Sequence, residues 1–145
     1  MGQEDNSYLY WNLELRNYFL INMKTSSLLL SKKLKELGVK QESEFYWVEN
    51  PDGTYVLYQR PDKWIKEGGT LENYWDKFYS AFTADELGEI LDGRAYAIKT
   101  GWNPDIYECI PCKDIHIDRY VFGDTMADAM AKMIFYLLEN KLIKL

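Results

Sequence analysis

Residues 81–99 read Ala81-Phe82-Thr83-Ala84-Asp85-Glu86-Leu87-Gly88-Glu89-Ile90-Leu91-Asp92-Gly93-Arg94-Ala95-Tyr96-Ala97-Ile98-Lys99. Thr83 and Glu86 stand at the two positions of a capping box, and Phe82 and Leu87 at those of a hydrophobic staple. Leu87, Ile90 and Leu91 give the helix one apolar face, and Asp92-Gly93 ends it. Residues 94–99 then read as a strand. A capped helix that stops on a turn and runs into a strand predicts a mixed fold with segregated helices and antiparallel strands.

Downstream, residues 105–110 read as a second strand, with turn chemistry in Gly101-Trp102-Asn103-Pro104. Residues 115–122 add a further strand. Asp124 or Thr125 then caps a long C-terminal helix reaching about Lys141. Its expected buried stripe is Met126, Met130, Met133, Ile134, Leu137 and Leu138, with the methionines as adaptable core. Asp128 and Lys132 form an i, i+4 pair in the favourable order.

Upstream, Thr70 is placed to cap a short helix on which Leu71, Tyr74, Trp75 and Phe78 recur as an aromatic stripe. Core packing is the first reading of that stripe, with Trp75 mostly buried and Trp64 partly exposed. A partner or ligand groove is the second reading. Residues 44–49 and 54–59 are rich in β-formers and flank Asn50-Pro51-Asp52-Gly53, which predicts a hairpin. Thr25 or Ser26 is expected to cap a helix over residues 25–37, with Leu30, Leu34 and Leu37 on one face. Gly38 fits a left-handed C-cap, and Val39 is placed to pack back on Leu34. Residues 7–23 are aromatic-rich and lean to helix, although Leu13 and Leu15 alternate as in a strand.

The chain has 145 residues and 47% apolar content, enough for one domain with its own core. Its 17 Lys and Arg against 23 Asp and Glu leave a net charge of −6, which disfavours nucleic acid and anionic membrane as partners. Lys32, Lys33, Lys35 and Lys40 make a local basic cluster, read as a solvated helix end opposing the helix dipole. No apolar run is long enough to span a bilayer. Met1-Gly2-Gln3-Glu4-Asp5-Asn6 has neither basic nor apolar leader character. A cytoplasmic protein with reduced cysteines is expected. Many of the 12 Tyr, 6 Phe and 5 Trp must be core, but the 12 tyrosine hydroxyls want partners or water, a compositional hint of a contact surface.

Three blocks carry a resemblance. They are Ser31-Lys32-Lys33-Leu34-Lys35-Glu36-Leu37-Gly38-Val39 with Tyr46 and Trp47 following, residues 81–91, and residues 124–141 from Asp124-Thr125-Met126 to Asn140-Lys141. Together they resemble small uncharacterised proteins encoded in gut-bacterial genomes and their phages or integrated mobile elements. The resemblance spans residues 24–143. It implies a mobile-element setting and supplies no activity and no site residues. It sets residues 1–23 apart as an N-terminal extension, with residues 24–145 as one α+β domain.

Few constellations point to chemistry. Cys109-Ile110-Pro111-Cys112 is a C-x-x-C, but it follows a strand and no clear helix opens after it, unlike a redox motif. Cys109, Cys112 and His116 supply three of the four ligands of a structural zinc site and no fourth Cys or His exists. They are weak metal candidates, and no cofactor is expected. His116, the sole histidine, alternates with Ile115 and Ile117 and reads as a surface residue. Gly68-Gly69 lacks the Lys-Ser or Lys-Thr of a phosphate loop.

The sequence therefore predicts a single α+β domain. An antiparallel sheet of about four strands packs on three to four helices, including the long C-terminal one. The expected function is a non-enzymatic accessory protein that binds a protein partner or itself. The alternative is a small-ligand-binding or enzymatic domain with an aromatic-lined pocket. Candidate contacts for either are Trp64, Tyr74, Trp75 and Trp102.

Overall fold

The computed structural model describes residues 24–59, 77–112 and 119–145. The extension at 1–23, the Thr70-capped segment with Trp64, Tyr74 and Trp75, and His116 lie outside the described residues. In chain order the elements are α1 (Leu28–Glu36), β1 (Phe45–Glu49), β2 (Tyr55–Gln59), β3 (Phe78–Ser80), α2 (Ala84–Leu91), β4 (Ala95–Lys99), β5 (Tyr107–Pro111), β6 (Val121–Gly123) and α3 (Met126–Glu139).

The α+β character holds, and the strands divide differently from expectation. In place of one sheet of about four strands there are two antiparallel three-stranded sheets, ordered β2-β1-β3 and β4-β5-β6. Phe78 accounts for the unexpected third strand of the first sheet. It belongs to a strand and not to a helical aromatic stripe. Phe78-Tyr79-Ser80 alternates buried, half-buried, buried, and pairs with β1 through Val48, Trp47 and Tyr46. β3 thus satisfies the edge of β1 left open by the hairpin, and the Phe78 ring meets Tyr46 edge-on at 6.1 Å.

The local signals are realised closely. Thr83 accepts the Glu86 N–H at 3.3 Å while the Glu86 carboxylate accepts the Thr83 N–H at 2.8 Å, closing the capping box. Phe82 and Leu87 are both buried. At the end of α1, Gly38 adopts φ +86°. Its N–H reaches the Lys35 carbonyl at 3.0 Å and the Val39 N–H reaches the Leu34 carbonyl at 3.0 Å, the paired bonds of a Schellman ending. The hairpin turn closes through Asn50 N–H to Thr54 O at 2.7 Å, with Gly53 at φ +86°.

The cap of α1 is Ser27, one or two residues later than expected. Thr25 and Ser26 are engaged elsewhere. Thr25 bridges Thr83, and the Ser26 N–H donates to the Phe82 carbonyl at 2.8 Å. The lysines of α1 are less free than their charge suggests. The Lys32 ammonium lies 4.4 Å from the Tyr55 ring centroid, and Lys35 donates to the Phe78 carbonyl at 2.8 Å. They join the helix to the first sheet.

α3 starts from Thr125, whose hydroxyl accepts the Asp128 N–H at 3.1 Å. It buries Met130, Met133, Ile134 and Leu137 as expected, and also Ala127, Ala129 and Ala131. Met126, at the first turn, is 39% exposed and lies outside that stripe. The expected Asp128–Lys132 attraction persists in the downward pull of Lys132 on the Asp128 carboxyl, while the hydrogen bond of each side chain goes to a backbone group. Asp128 accepts the Ser27 N–H at 2.7 Å, and Lys132 donates to the Phe122 carbonyl at 2.8 Å. The main core lies where α1, α2 and α3 meet the inner face of the second sheet, around Leu34, Leu87, Leu91, Cys109, Met133 and Leu137.

Two expectations follow. A Cβ on Gly123 would sit 2.5 Å from the Ala129 nitrogen and 2.9 Å from the Asp128 carbonyl carbon, so only glycine lets β6 run this close to α3. Gly123→Ala should lower stability in urea unfolding by about 2–3 kcal/mol, in the range of core overpacking. Gly101→Ala, where the Cβ meets open space, should change it by less than about 0.5 kcal/mol.

The second expectation concerns Asp128. Burial pushes its carboxyl above the ordinary value of 3.8, against the opposing pull of the Ser27 N–H and of Lys132. A raised acid binds more protons in the fold than in the unfolded chain, so its ionisation weakens the fold as pH rises from about 4 through the folded value. Asp128→Asn keeps an acceptor for Ser27 and should gain on the parent chain across that window, with a constant difference above it. Asp128→Ala orphans the Ser27 N–H and should cost about 1–3 kcal/mol at neutral pH. Urea unfolding at a series of pH values reads both.

Candidate functional site

The second sheet has two unlike faces. β4 turns Ala95 and Ala97 inward, β5 turns Tyr107 and Cys109 inward, and β6 turns Val121 and Gly123 inward, all toward the helices. Alternation sends Tyr96, Ile98, Glu108, Ile110 and Phe122 to the opposite face. The register places Tyr96 opposite Ile110, and Ile98, Glu108 and Phe122 in one cross-strand row. Tyr96 is 50% exposed, and Ile98 and Phe122 are each 44% exposed.

Trp102 extends this face at the β4–β5 turn. The turn is held by Thr100 N–H to Ile106 O at 3.0 Å, Ile106 N–H to Asn103 O at 3.2 Å, and Asp105 N–H to the Asn103 side-chain oxygen at 2.9 Å. The buried Thr100 hydroxyl accepts the Asn103 N–H and donates to its carbonyl. From this frame the indole reaches the Phe122 ring, edge-on at 6.2 Å, and stays 69% exposed. Tyr120, also exposed, stands one residue before β6. A hydrogen-bonded turn thus holds an exposed aromatic ring at the rim of an apolar sheet face.

Of the sequence-predicted contacts, Trp102 is the one within the described residues, and it joins this face. Cys109 points the other way. It is fully buried in the core, and burial together with the neighbouring Cys112 thiol pushes its pKa up to about 12. The Cys112 N–H bonds the Arg94 carbonyl at 2.7 Å, continuing the ladder past β5, so the chain is extended from Cys109 to Cys112. Three extended residues span about 10 Å, beyond the roughly 7 Å that a disulfide bridges between Cα atoms. Among the described residues, no group of three His, Cys, Asp or Glu side chains is arranged to hold a metal ion.

Two open cavities lie elsewhere. One, of about 550 Å³, runs between the ends of α1 and α2 and the chain terminus, with Glu86, Glu89, Arg94 and Lys144 on its walls. The other, of about 530 Å³, opens at the N-termini of α2 and α3, with Glu44, Asp85, Asp124 and Lys24 around Phe45 and Met126. Trp102 lines neither. No helix among the described residues is long and apolar enough to cross a membrane. Comparison with protein-family models, curated proteins and solved structures finds no match to this chain.

The thiols give a direct check. At pH 8 a thiol with a pKa of about 12 is ionised in roughly one molecule in ten thousand. A thiol-reactive chromogen should therefore label the half-buried Cys112 in the native chain and leave Cys109 untouched. Both should react in denaturant. Equal native labelling would remove Cys109 from the core.

Proposed function

We propose that this chain is a non-enzymatic, cytoplasmic accessory protein that recognises another protein through the outer face of its second sheet. The observation that carries this reading is the Trp102–Phe122–Ile98–Tyr96 surface, large apolar side chains exposed on hydrogen-bonded strands and turn. Interface cores favour such aromatic anchors, whereas a merely solvated sheet face alternates to polar residues. The mobile-element setting rests on the resemblance of the three helix blocks. The alternative, a pocket for a small ligand, draws no support from Trp102 in the two cavities described above, neither of which it lines.

Trp102→Ala should leave the isolated chain within about 1 kcal/mol of its parent stability, the scale of an exposed ring contact. A loss of about 3–5 kcal/mol would mark it as core. In cells, a photo-crosslinking amino acid at Tyr96 or Trp102 should give a discrete adduct with another protein, and the same probe at exposed Leu29 should not. Adducts of equal yield at both faces, or none at the sheet, would refute the reading.

A further inference from the structure

Glu108 is the one charged side chain at the outward strand positions of the second sheet. It is half-buried between Ile98 on one neighbouring strand and Phe122 on the other. Among the described residues no cation lies within ion-pair distance of it. Three basic groups around the sheet among the described residues have other partners. Lys99 lies over the Tyr107 ring, Arg119 stacks on Tyr136 of α3 at 4.6 Å, and Lys132 donates to the Phe122 carbonyl. The face therefore presents one carboxylate ringed by aromatic and aliphatic side chains.

Covering that face with an apolar surface alone would strip water from the carboxylate without replacing its hydrogen bonds, a costly outcome. A second copy docked about a two-fold axis on this row would bring two Glu108 carboxylates together, and each chain already carries a net charge of −6. Building on the preceding reading, we infer that the partner is a protein surface presenting an arginine or lysine among apolar residues, with its cation received by Glu108. Trp102, Phe122, Ile98 and Tyr96 exclude water around that pair, and Glu108 selects the partner by charge.

The test selects binders from a random peptide library on the immobilised full chain, with counter-selection on the Trp102→Ala/Phe122→Ala variant. Selected peptides are then titrated calorimetrically against the parent chain, Glu108→Gln and Glu108→Lys, each checked for a parent-like thermal melt. The expected peptides carry one basic residue flanked by apolar ones. Glu108→Gln should weaken them about tenfold or more, the scale of a lost charge-assisted bond. A peptide with its basic residue changed to Glu should bind Glu108→Lys in preference to the parent. If Glu108→Lys does not fold, the isosteric Glu108→Gln decides alone. Peptides without a basic residue, or with affinity unchanged in Glu108→Gln, would overturn the inference and leave the binding face standing. No peptide distinguishing the parent from the Trp102→Ala/Phe122→Ala variant would overturn both. Sedimentation showing self-association of the parent that Trp102→Ala abolishes would make a second copy the occupant and overturn the inference.

Discussion

Ser26 donates its backbone N–H to the Phe82 carbonyl at 2.8 Å, and its hydroxyl accepts the Phe82 N–H at 3.0 Å and meets the Ser31 hydroxyl at 2.8 Å. Its carbonyl accepts the Trp47 indole N–H at 3.0 Å. Next to it, the Ser27 N–H goes to Asp128. Within two fully connected residues the entry to α1 is tied to the entry of α2, to the central strand of the first sheet and to the first turn of α3. Ser26 and Ser31 are fully buried, so every one of these polar groups would otherwise carry a desolvation penalty of about 1–3 kcal/mol. Such networks are strongly specifying, because a shift of any one element leaves several groups unpaired at once. This junction links the three helices and the first sheet through hydrogen bonds alone.

The junction also explains which parts of the fold were legible in the sequence. Capping box, staple, Schellman ending and hairpin turn are contacts within five or six residues, and their chemistry is written in consecutive letters. Thr83, Glu86, Gly38, Val39 and Gly53 all occupy the roles their spacing predicts. The misplaced cap of α1 is the opposite case. Thr25, Ser26 and Ser27 are all plausible caps locally, and the choice among them is made by Thr83 and Phe82, more than fifty residues away. β3 was hidden for a similar reason. Phe78 fits a helical spacing with Tyr74, and what makes it a strand residue is the open edge of β1, a partner that no local pattern reveals.

Glu86 shows the same layering at one side chain. Its capping role is local, yet its carboxylate also accepts the Ser43 hydroxyl at 2.8 Å and the Glu44 N–H at 3.2 Å. The residue that starts α2 thereby fixes the approach to β1. Asp128 does likewise at the other end of the junction, serving the first turn of α3 while holding Ser27. An i, i+4 reading of Asp128 with Lys132 was reasonable on the helix alone. The attraction is present, but the close contacts of both side chains are tertiary, a backbone N–H for Asp128 and a backbone carbonyl for Lys132.

The candidate site was legible only through Trp102, and the reason lies in how closely α3 approaches the second sheet. On the helix, the backbone of Ala129 and Asp128 lies against Gly123, and the strands turn Ala95, Ala97 and Cys109 inward into the same core. Small residues on both sides let the backbones come near, down to the Gly123 contact that admits no Cβ. In β4 this inverts the usual assignment, since the small residues of Ala95-Tyr96-Ala97-Ile98 are inside and the large ones outside. Sequence reading normally places the larger apolar side chains in the core, so the outward face escapes notice. The inversion itself carries information. Close helix packing requires the inner positions to be small, but it places no demand on the outer ones, where Thr, Lys or Gln would serve the strand as well. Tyr96, Ile98, Ile110 and Phe122 therefore stand at positions that the helix packing leaves unconstrained, with the Trp102 ring beside them at the turn.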